Sequence, residues 1–386
     1  MQGSVDDVKG LHDQLVKCSF ESCIVTMNTL IDVYGKSGYI CEASNVFEAL
    51  QNRDIVSWGT LIASCVQHGL DHTSLAYFER MQVEGFSPNE AVYVSILKAC
   101  IMVGMPLQSM ILHHQIIRAG IRLDVAIGTT LINMYGKLGH IQEASKVFYT
   151  MKDMNEVTWG SMVASYVENG FCLPALKTFI KMQDEGIKPE KACFLYIFKA
   201  CGQLGALESS LIHGQIIEIG LMMDVEIVSA LIHMYVKCGS LSDAYKILNS
   251  FPNGNIVSWG TMIAGFARTG LYEKAGECVQ TMNNLGLKPD NAIFINLLCA
   301  CTNAGLLEQG CEVFSSMRES YGIEPIISHY NSLIDLLGRT GLMDEAEDLL
   351  LSMPTTSDVY GWISLLSCCK KHCNVDLASR CLVQVI

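Results

Sequence analysis

Cys368, Cys369, His372 and Cys373 carry the thiol and imidazole groups that bind zinc. Zinc sites in such clusters are usually built on a Cys-x-x-Cys pair, and none occurs anywhere in the chain. The four residues also lie where a helix is expected to meet its turn, so they read as structural. Gly35-Lys36-Ser37 resembles the end of a phosphate-binding loop, but position 30 is Leu where that motif needs its first Gly. The sister stretches read Gly136-Lys137-Leu138 and Val236-Lys237-Cys238, which marks a recurring helix end. Cys299 and Cys301 flank Ala300 in an apolar run and read as packed thiols. His12, His113 and His213 stand about 100 residues apart at one repeat position and read as packing residues. No residue set in the chain amounts to catalytic apparatus. The expectation is a protein that is not an enzyme and needs no metal or cofactor.

The elements that would position these residues follow from composition and period. The chain has 386 residues, 26 Lys+Arg and 39 Asp+Glu, for a net charge of −13. Half of the residues are hydrophobic and 17% are charged, too apolar for a disordered chain. The 17 cysteines are odd in number and sparse, as in an intracellular protein with reduced thiols. No apolar run reaches the roughly 18 residues of a membrane span, and no membrane partner is expected. Met1–Gly10 lacks an apolar segment and carries Asp6 and Asp7, unlike a signal or transit peptide.

Internal repeats dominate. Trp58, Trp159 and Trp259 recur inside Ser/Thr-Trp-Gly-Thr/Ser, and Pro88, Pro189 and Pro289 each close a Gly-x-x-Pro loop. Tyr34, Tyr135 and Tyr235 recur within Leu-Ile-x-x-Tyr. Each spacing is 100 or 101 residues, and the large period divides into units of 31, 35 and 34–35 residues. The frame predicts a partial unit at 1–23, then units at 24–54, 55–89, 90–124, 125–155, 156–190, 191–224, 225–255, 256–290, 291–326 and 327–358, and a shortened one at 359–386. Both ragged ends predict a sequence that continues beyond them. In the unit at Glu156, Trp159, Met162, Val163 and Tyr166 mark one helical face before Gly170. Ala175, Phe179 and Met182 mark a second helix that ends at Gly186 and Pro189. Helices of three turns are marginal alone, so the hairpins must stack. The Trp, Tyr, Phe and Met stripe is expected to be core. Ala43, Ala144, Ala175 and Ala244 suit close helix crossings. The fold class is all-α, a right-handed α-solenoid superhelix of about eleven helix-turn-helix units.

Several stretches carry a family resemblance. Asn28–Gly38 reads NTLIDVYGKSG, Leu131–Gly139 reads LINMYGKLG, and Ile256–Gly270 reads IVSWGTMIAGFARTG. Tyr321–Pro354 reads YGIEPIISHYNSLIDLLGRTGLMDEAEDLLLSMP. The chain resembles pentatricopeptide repeat proteins of the plant subclass in which P, L and S units alternate. In this likeness the units at 24–54, 125–155, 225–255 and 327–358 are S, those at 55–89, 156–190 and 256–290 are P, and those at 90–124, 191–224 and 291–326 are L. Trp362–Ala378 resembles the start of the E1 extension that follows the last repeat. The tetratricopeptide repeat fits less well: the eighth position of the first helix is Ile31, Ile62, Ile132, Val163, Ile232 or Ile263 where it expects Gly.

The resemblance implies single-stranded RNA in the groove lined by first helices, read at one base per repeat. It implies that the fifth and last residues of a unit face the base edge. The readers would be Asn28 with Asp54 for uridine, Thr129 with Asn155 and Ser229 with Asn255 for adenosine, and Asn331 with Asp358 for uridine. Val25, Val56, Val157 and Val257 would pack on base planes, and Lys36, Lys137, Lys237 and Arg339 would approach phosphates. The implied address is 5′-U-N-N-A-N-N-A-N-N-U. Gly59, Gly160 and Gly260 have no side chain to read with, and Val94, Leu195 and Ile295 cannot hydrogen-bond, so little selectivity is expected there.

The net charge opposes nucleic acid at first sight. The first 14 residues of the eleven units, however, hold ten basic and six acidic residues, and the remainder holds 16 and 33. The acid load therefore lies off the implied binding helices. The resemblance further implies a mitochondrial or chloroplast protein that guides C-to-U editing, with a cytidine deaminase domain or editing cofactor proteins as partners. Deaminase zinc chemistry needs His-x-Glu and Cys-x-x-Cys, and neither is present. The alternatives are an organellar RNA processing or stability factor, and a protein-interaction scaffold of the tetratricopeptide type.

Overall fold

Apolar residues at spacings of three and four build one amphipathic helix after another, and glycines in left-handed backbone separate them. The computed structural model describes residues 23–205, 209–251, 255–353 and 359–385. Among these residues there are 22 α-helices, one 3₁₀ turn and no strand.

The chain divides into two compact units, 1–197 and 198–386. The first contains α1 (Ile24–Lys36), α2 (Ile40–Ala49), α3 (Ile55–Gln67), α4 (Asp71–Val83), α5 (Glu90–Val103), α6 (Pro106–Arg118), α7 (Val125–Lys137), α8 (Ile141–Thr150), α9 (Glu156–Glu168) and α10 (Cys172–Asp184). Helix α11 (Lys191–Leu204) runs across the boundary. The second contains α12 (Ser209–Ile219), α13 (Val225–Lys237), α14 (Leu241–Ser250), α15 (Ile256–Arg268), α16 (Tyr272–Asn284), α17 (Asn291–Ala304), α18 (Leu307–Glu319), α19 (Ile327–Thr340), α20 (Met343–Ser352), α21 (Val359–His372) and α22 (Val375–Val385).

Odd-numbered helices are the first members of hairpins and even-numbered helices the second. In the first unit α1 packs on α3, α3 on α5, α5 on α7 and α7 on α9. In the second, α13 packs on α15, α15 on α17, α17 on α19 and α19 on α21. First helices thus form one layer in each unit. The hairpin turn is a glycine cap: Gly38 has φ +83°, and the Tyr39 amide donates back to the Tyr34 carbonyl at 2.9 Å.

Side-chain caps mark most first helices, although α1 and α19 start without one and the second helix α22 is capped by Asn374. Asp54, Asn89, Asp124, Asn155, Asp224, Asn255 and Asp290 each accept the amide three residues on, at the start of a first helix. Each such cap contributes about 1 kcal/mol. The second helices α2, α4, α6 and α8 start without a side-chain cap and depend on packing.

The aromatic stripe is core, as the periodicity requires. Trp58, Trp159, Trp259 and Trp362 are buried. Phe47 meets Trp58 edge-on at 4.6 Å between ring centroids, and Phe148 meets Trp159 at 4.8 Å. Ala43, Ala144, Ala175 and Ala244 are fully buried. The repeated histidines pack as well: His113 Nδ1 lies 2.9 Å from Tyr135 Oη, and His213 Nδ1 lies 3.1 Å from Tyr235 Oη. Burial, with His114 adding to it, holds the His113 pKa below the ordinary value. His12 lies outside the described residues. Tyr166 departs from the core stripe; it is half-buried and its hydroxyl lies 3.1 Å from Ser145 Oγ.

Cys368 and Cys369 are buried and Cys373 is exposed. Among the described residues no group of three or more His, Cys, Asp or Glu is placed to hold a metal ion. No helix among them is long and apolar enough to cross a membrane.

Candidate nucleic-acid interface

First helices α1, α7 and α13 place Asn28, Thr129 and Ser229 one turn in from their N-termini. Helices α3, α9 and α15 pack against them and bring up their own N-caps, Asp54, Asn155 and Asn255. Each fifth residue of one first helix therefore faces the cap of the next.

A third residue joins every pair. Ser57, Thr158 and Ser258 are the third residues of their helices, and all three are fully buried. Thr129 Oγ1 lies 2.8 Å from Thr158 Oγ1, which donates to Asn155 Oδ1 at 3.0 Å. Ser229 Oγ lies 2.7 Å from Ser258 Oγ, which donates to Asn255 Oδ1 at 2.9 Å. Ser229 Oγ also lies 2.6 Å from the Val225 carbonyl, so its single proton serves either that carbonyl or Ser258 Oγ. In the first pair Asn28 Nδ2 donates directly to Asp54 Oδ1 at 3.2 Å, and Ser57 Oγ donates to the same oxygen at 2.8 Å.

The cap decides what the last-position side chain can offer. The Thr158 amide donates to Asn155 Oδ1 at 3.0 Å and the Ser258 amide to Asn255 Oδ1 at 2.9 Å. An atom that accepts a backbone N–H is the carbonyl oxygen, so each Asn keeps its Nδ2 donors for other partners. Asp54 Oδ1 accepts the Ser57 amide at 2.7 Å, which leaves the other carboxylate oxygen as an acceptor. Burial alone would raise the Asp54 pKa, but hydrogen bonds from Ser57 and Asn28 outweigh it and hold the carboxyl below its ordinary range.

Asn28 is 8% exposed and Thr129 9% exposed. Asn28 Oδ1 is buried without a hydrogen-bond partner. That orphan is costly in the free protein and calls for a donor. Asn331 is half-buried on α19, and Asp358 lies outside the described residues.

The four valines are exposed: Val25 by 69%, Val56 by 52%, Val157 by 45% and Val257 by 62%. Gly160 faces open space, with nothing within 4 Å of an added Cβ, whereas Gly59 has Val92 Cγ2 at 3.3 Å. Val94, Leu195 and Ile295 are half-buried.

The cations are less available than their positions suggest. Lys36 pairs with Asp32 at 2.6 Å, Lys137 with Glu168 at 2.9 Å and Arg339 with Asp335 at 2.9 Å. The Glu168 hydrogen bond pushes the Lys137 pKa up. Among the described residues no acid forms an ion pair with Lys237.

Sequence reasoning missed Ser57, Thr158 and Ser258. Their signal was present: a hydroxyl residue precedes each of Trp58, Trp159 and Trp259.

A pentatricopeptide repeat model matches residues 25–55, 56–86, 129–156, 157–187, 226–255, 257–287 and 328–355, more than half of the chain. A pentatricopeptide repeat domain model matches 277–340. The chain belongs to the pentatricopeptide repeat family.

An Arabidopsis thaliana pentatricopeptide repeat-containing protein is 36% identical over 375 residues, covering 96% of this chain and 54% of the relative. Another, named mitochondrial, is 33% identical over 401 residues, 97% of this chain and 44% of the relative. A third, named chloroplastic, is 29% identical over 373 residues, 96% of this chain and 46% of the relative. The chain spans about half the length of the curated relatives it matches. The crystal structure of the maize pentatricopeptide repeat protein PPR10, in complex with an 18-nt psaJ RNA element, superposes with a TM-score of 0.73 at 18% identity. It covers 96% of this chain and 56% of that one. The likeness shows the fold, an α-solenoid of pentatricopeptide hairpins.

Proposed function

We propose that this pentatricopeptide repeat chain binds single-stranded RNA in a sequence-specific manner, as the site-recognition part of an organellar C-to-U editing factor of the alternating P, L and S subclass, with residues 359–386 belonging to an E1 extension. The carrying observation is the recurring buried polar set that joins a fifth residue, a helix cap and a hydroxyl beside exposed valines. Exposed apolar side chains next to oriented donors and acceptors suit a base, which has an apolar face and a polar edge. The PPR10 complex with RNA supports the ligand class. Relatives named mitochondrial or chloroplastic support an organellar location. The deaminase would be a partner or lie elsewhere in a longer protein.

The test is selection from a random single-stranded RNA pool at moderate salt. Enrichment of U-N-N-A-N-N-A-N-N-U is expected. A folded, helical protein that enriches nothing would put another ligand, such as a peptide, in the groove. If all four proposed cations meet phosphate, log K should fall with log[salt] at a slope of about −3.

Glu168 competes for Lys137. Glu168→Gln should therefore tighten RNA binding by about two- to fivefold at low salt and have little effect at high salt. Unchanged affinity in a low-salt titration would remove Lys137 from the phosphate contacts.

A further inference from the structure

We infer that Ser57, Thr158 and Ser258 are specificity-positioning residues: each hydroxyl orients the donors and acceptors that its neighbouring residue pair presents to a base. This rests on the RNA reading proposed above and adds a third residue to each reading pair.

Proton counting at Thr158 shows how. Two short oxygen contacts exist, Thr129 to Thr158 and Thr158 to Asn155, and two hydroxyl protons are available. Only one arrangement puts a proton in each contact: Thr129 donates to Thr158, and Thr158 donates to Asn155 Oδ1. Any other leaves two lone pairs facing each other at about 3 Å. Thr129 is then left with lone pairs and Asn155 with Nδ2–H. An acceptor beside a donor complements adenine, whose edge offers the N6 amino donor and the N1 acceptor. Guanine offers O6 as acceptor and N1–H as donor, the reverse set.

The pair at Ser57 is polarised the other way. Ser57 and Asn28 both donate to Asp54 Oδ1, so the Asn28 amide is oriented with Oδ1 away from the cap. That oxygen is the buried acceptor without a partner. It meets the need of uracil N3–H. A nearly buried acceptor left open in the free protein is a second, independent sign that a ligand completes this site.

The hydroxyl accompanies three of the four fifth residues that can read a base and none of the fifth residues that cannot. Where the fifth residue is Gly59, Gly160 or Gly260, the corresponding third residue is Val92, Cys193 or Ile293. Where it is Val94 or Leu195, the corresponding residue is Ile127 or Ile227. At Asn331 the corresponding residue is Gly361, and a Cβ there would come within 2.9 Å of Asn331 Oδ1. That reader has no hydroxyl, so the tenth base should be discriminated less than the first.

The experiment uses the whole chain and ten-nucleotide RNAs that carry A or G at the fourth position. Binding is measured by fluorescence anisotropy, with thermal melting followed by circular dichroism. The unmodified chain should favour A over G by about tenfold or more. Thr158→Val keeps the shape and the backbone cap but removes the hydroxyl. It should bring the ratio below about threefold while preferences at the first and seventh bases stay in place. Thr158→Ser should keep the ratio. Ser258→Ala, read at the seventh base, repeats the test at an independent unit should Thr158→Val fail to fold. A merely structural role would lower the melting temperature and leave the ratio alone; that result overturns the inference. An unmodified chain with no preference at any of the four read positions would sink the RNA reading itself, and this inference with it.

Discussion

Gly136→Val should destabilise the chain by about 3 kcal/mol, and adding Ser165→Gly should restore most of that loss. Gly136 lies in the last turn of α7, where α9 crosses it. A Cβ at Gly136 would come within 2.7 Å of Ser165 Cβ and 3.3 Å of Ser165 Cα. Backbone on one side leaves no flexible group to yield. The same crossing recurs with Gly35 against Ser64 and Gly338 against Cys368. The third copy exchanges the volumes: Val236 stands where the others have Gly, and its partner is Gly265, whose added Cβ would lie 2.8 Å from Val236 Cγ1. The molecule thus already contains the compensated pair that the double variant would recreate. Ser165→Gly alone should cost about 0.5 kcal/mol through helix propensity. Urea denaturation of all four proteins gives the coupling energy, expected at about 2 kcal/mol or more in favour of the pair. Additive single effects would mean that the crossing relaxes freely and that the exchange at Val236 and Gly265 has another origin.

Asn28→Ser with Asp54→Asn should move the preference at the first base from U to A, a swing in the A-to-U ratio of about 10- to 100-fold. Ser57 is already in place. The double variant would therefore reproduce the Ser229–Ser258–Asn255 set, residue type for residue type. It removes the orphan Asn28 Oδ1 and replaces the outward carboxylate oxygen with an amide donor. Asn and Asp cap helices almost equally well, so stability should change by less than about 0.5 kcal/mol. Binding to RNAs differing only at that base reads the result. A preference that stays on U in the folded variant would mean that Asn28 and Asp54 do not face the base.

The helical hairpins were legible because amphipathic spacing is local. Trp159, Met162 and Val163 declare one buried face within two turns, and all three are buried. Gly170 ends its helix in left-handed backbone, as its place after the apolar run implied. The packing role of His113 and His213 was also readable, since both stand at one repeat position, and each ring meets a tyrosine hydroxyl.

Other features needed contacts that no local pattern carries. Gly35 looked like a helix-end residue, and its closeness to Ser64 appears only when α1 lies against α3. Lys137 read as an open cation, yet its partner Glu168 stands 31 residues away on α9. Lys36 and Asp32, four apart on one helix, could have been paired from the sequence.

By itself, then, the sequence determined the period, the helices, the glycine turns and the buried aromatic stripe. The period is a repetition along the chain, and the helices, turns and stripe each depend on residues within about two turns of one another. Tertiary structure alone decided which donors and acceptors remain open on Asn28, Thr129, Asn155 and Ser229. Hydrogen-bond capacity is finite, and what a side chain can offer a ligand is what the neighbouring helix has left unused.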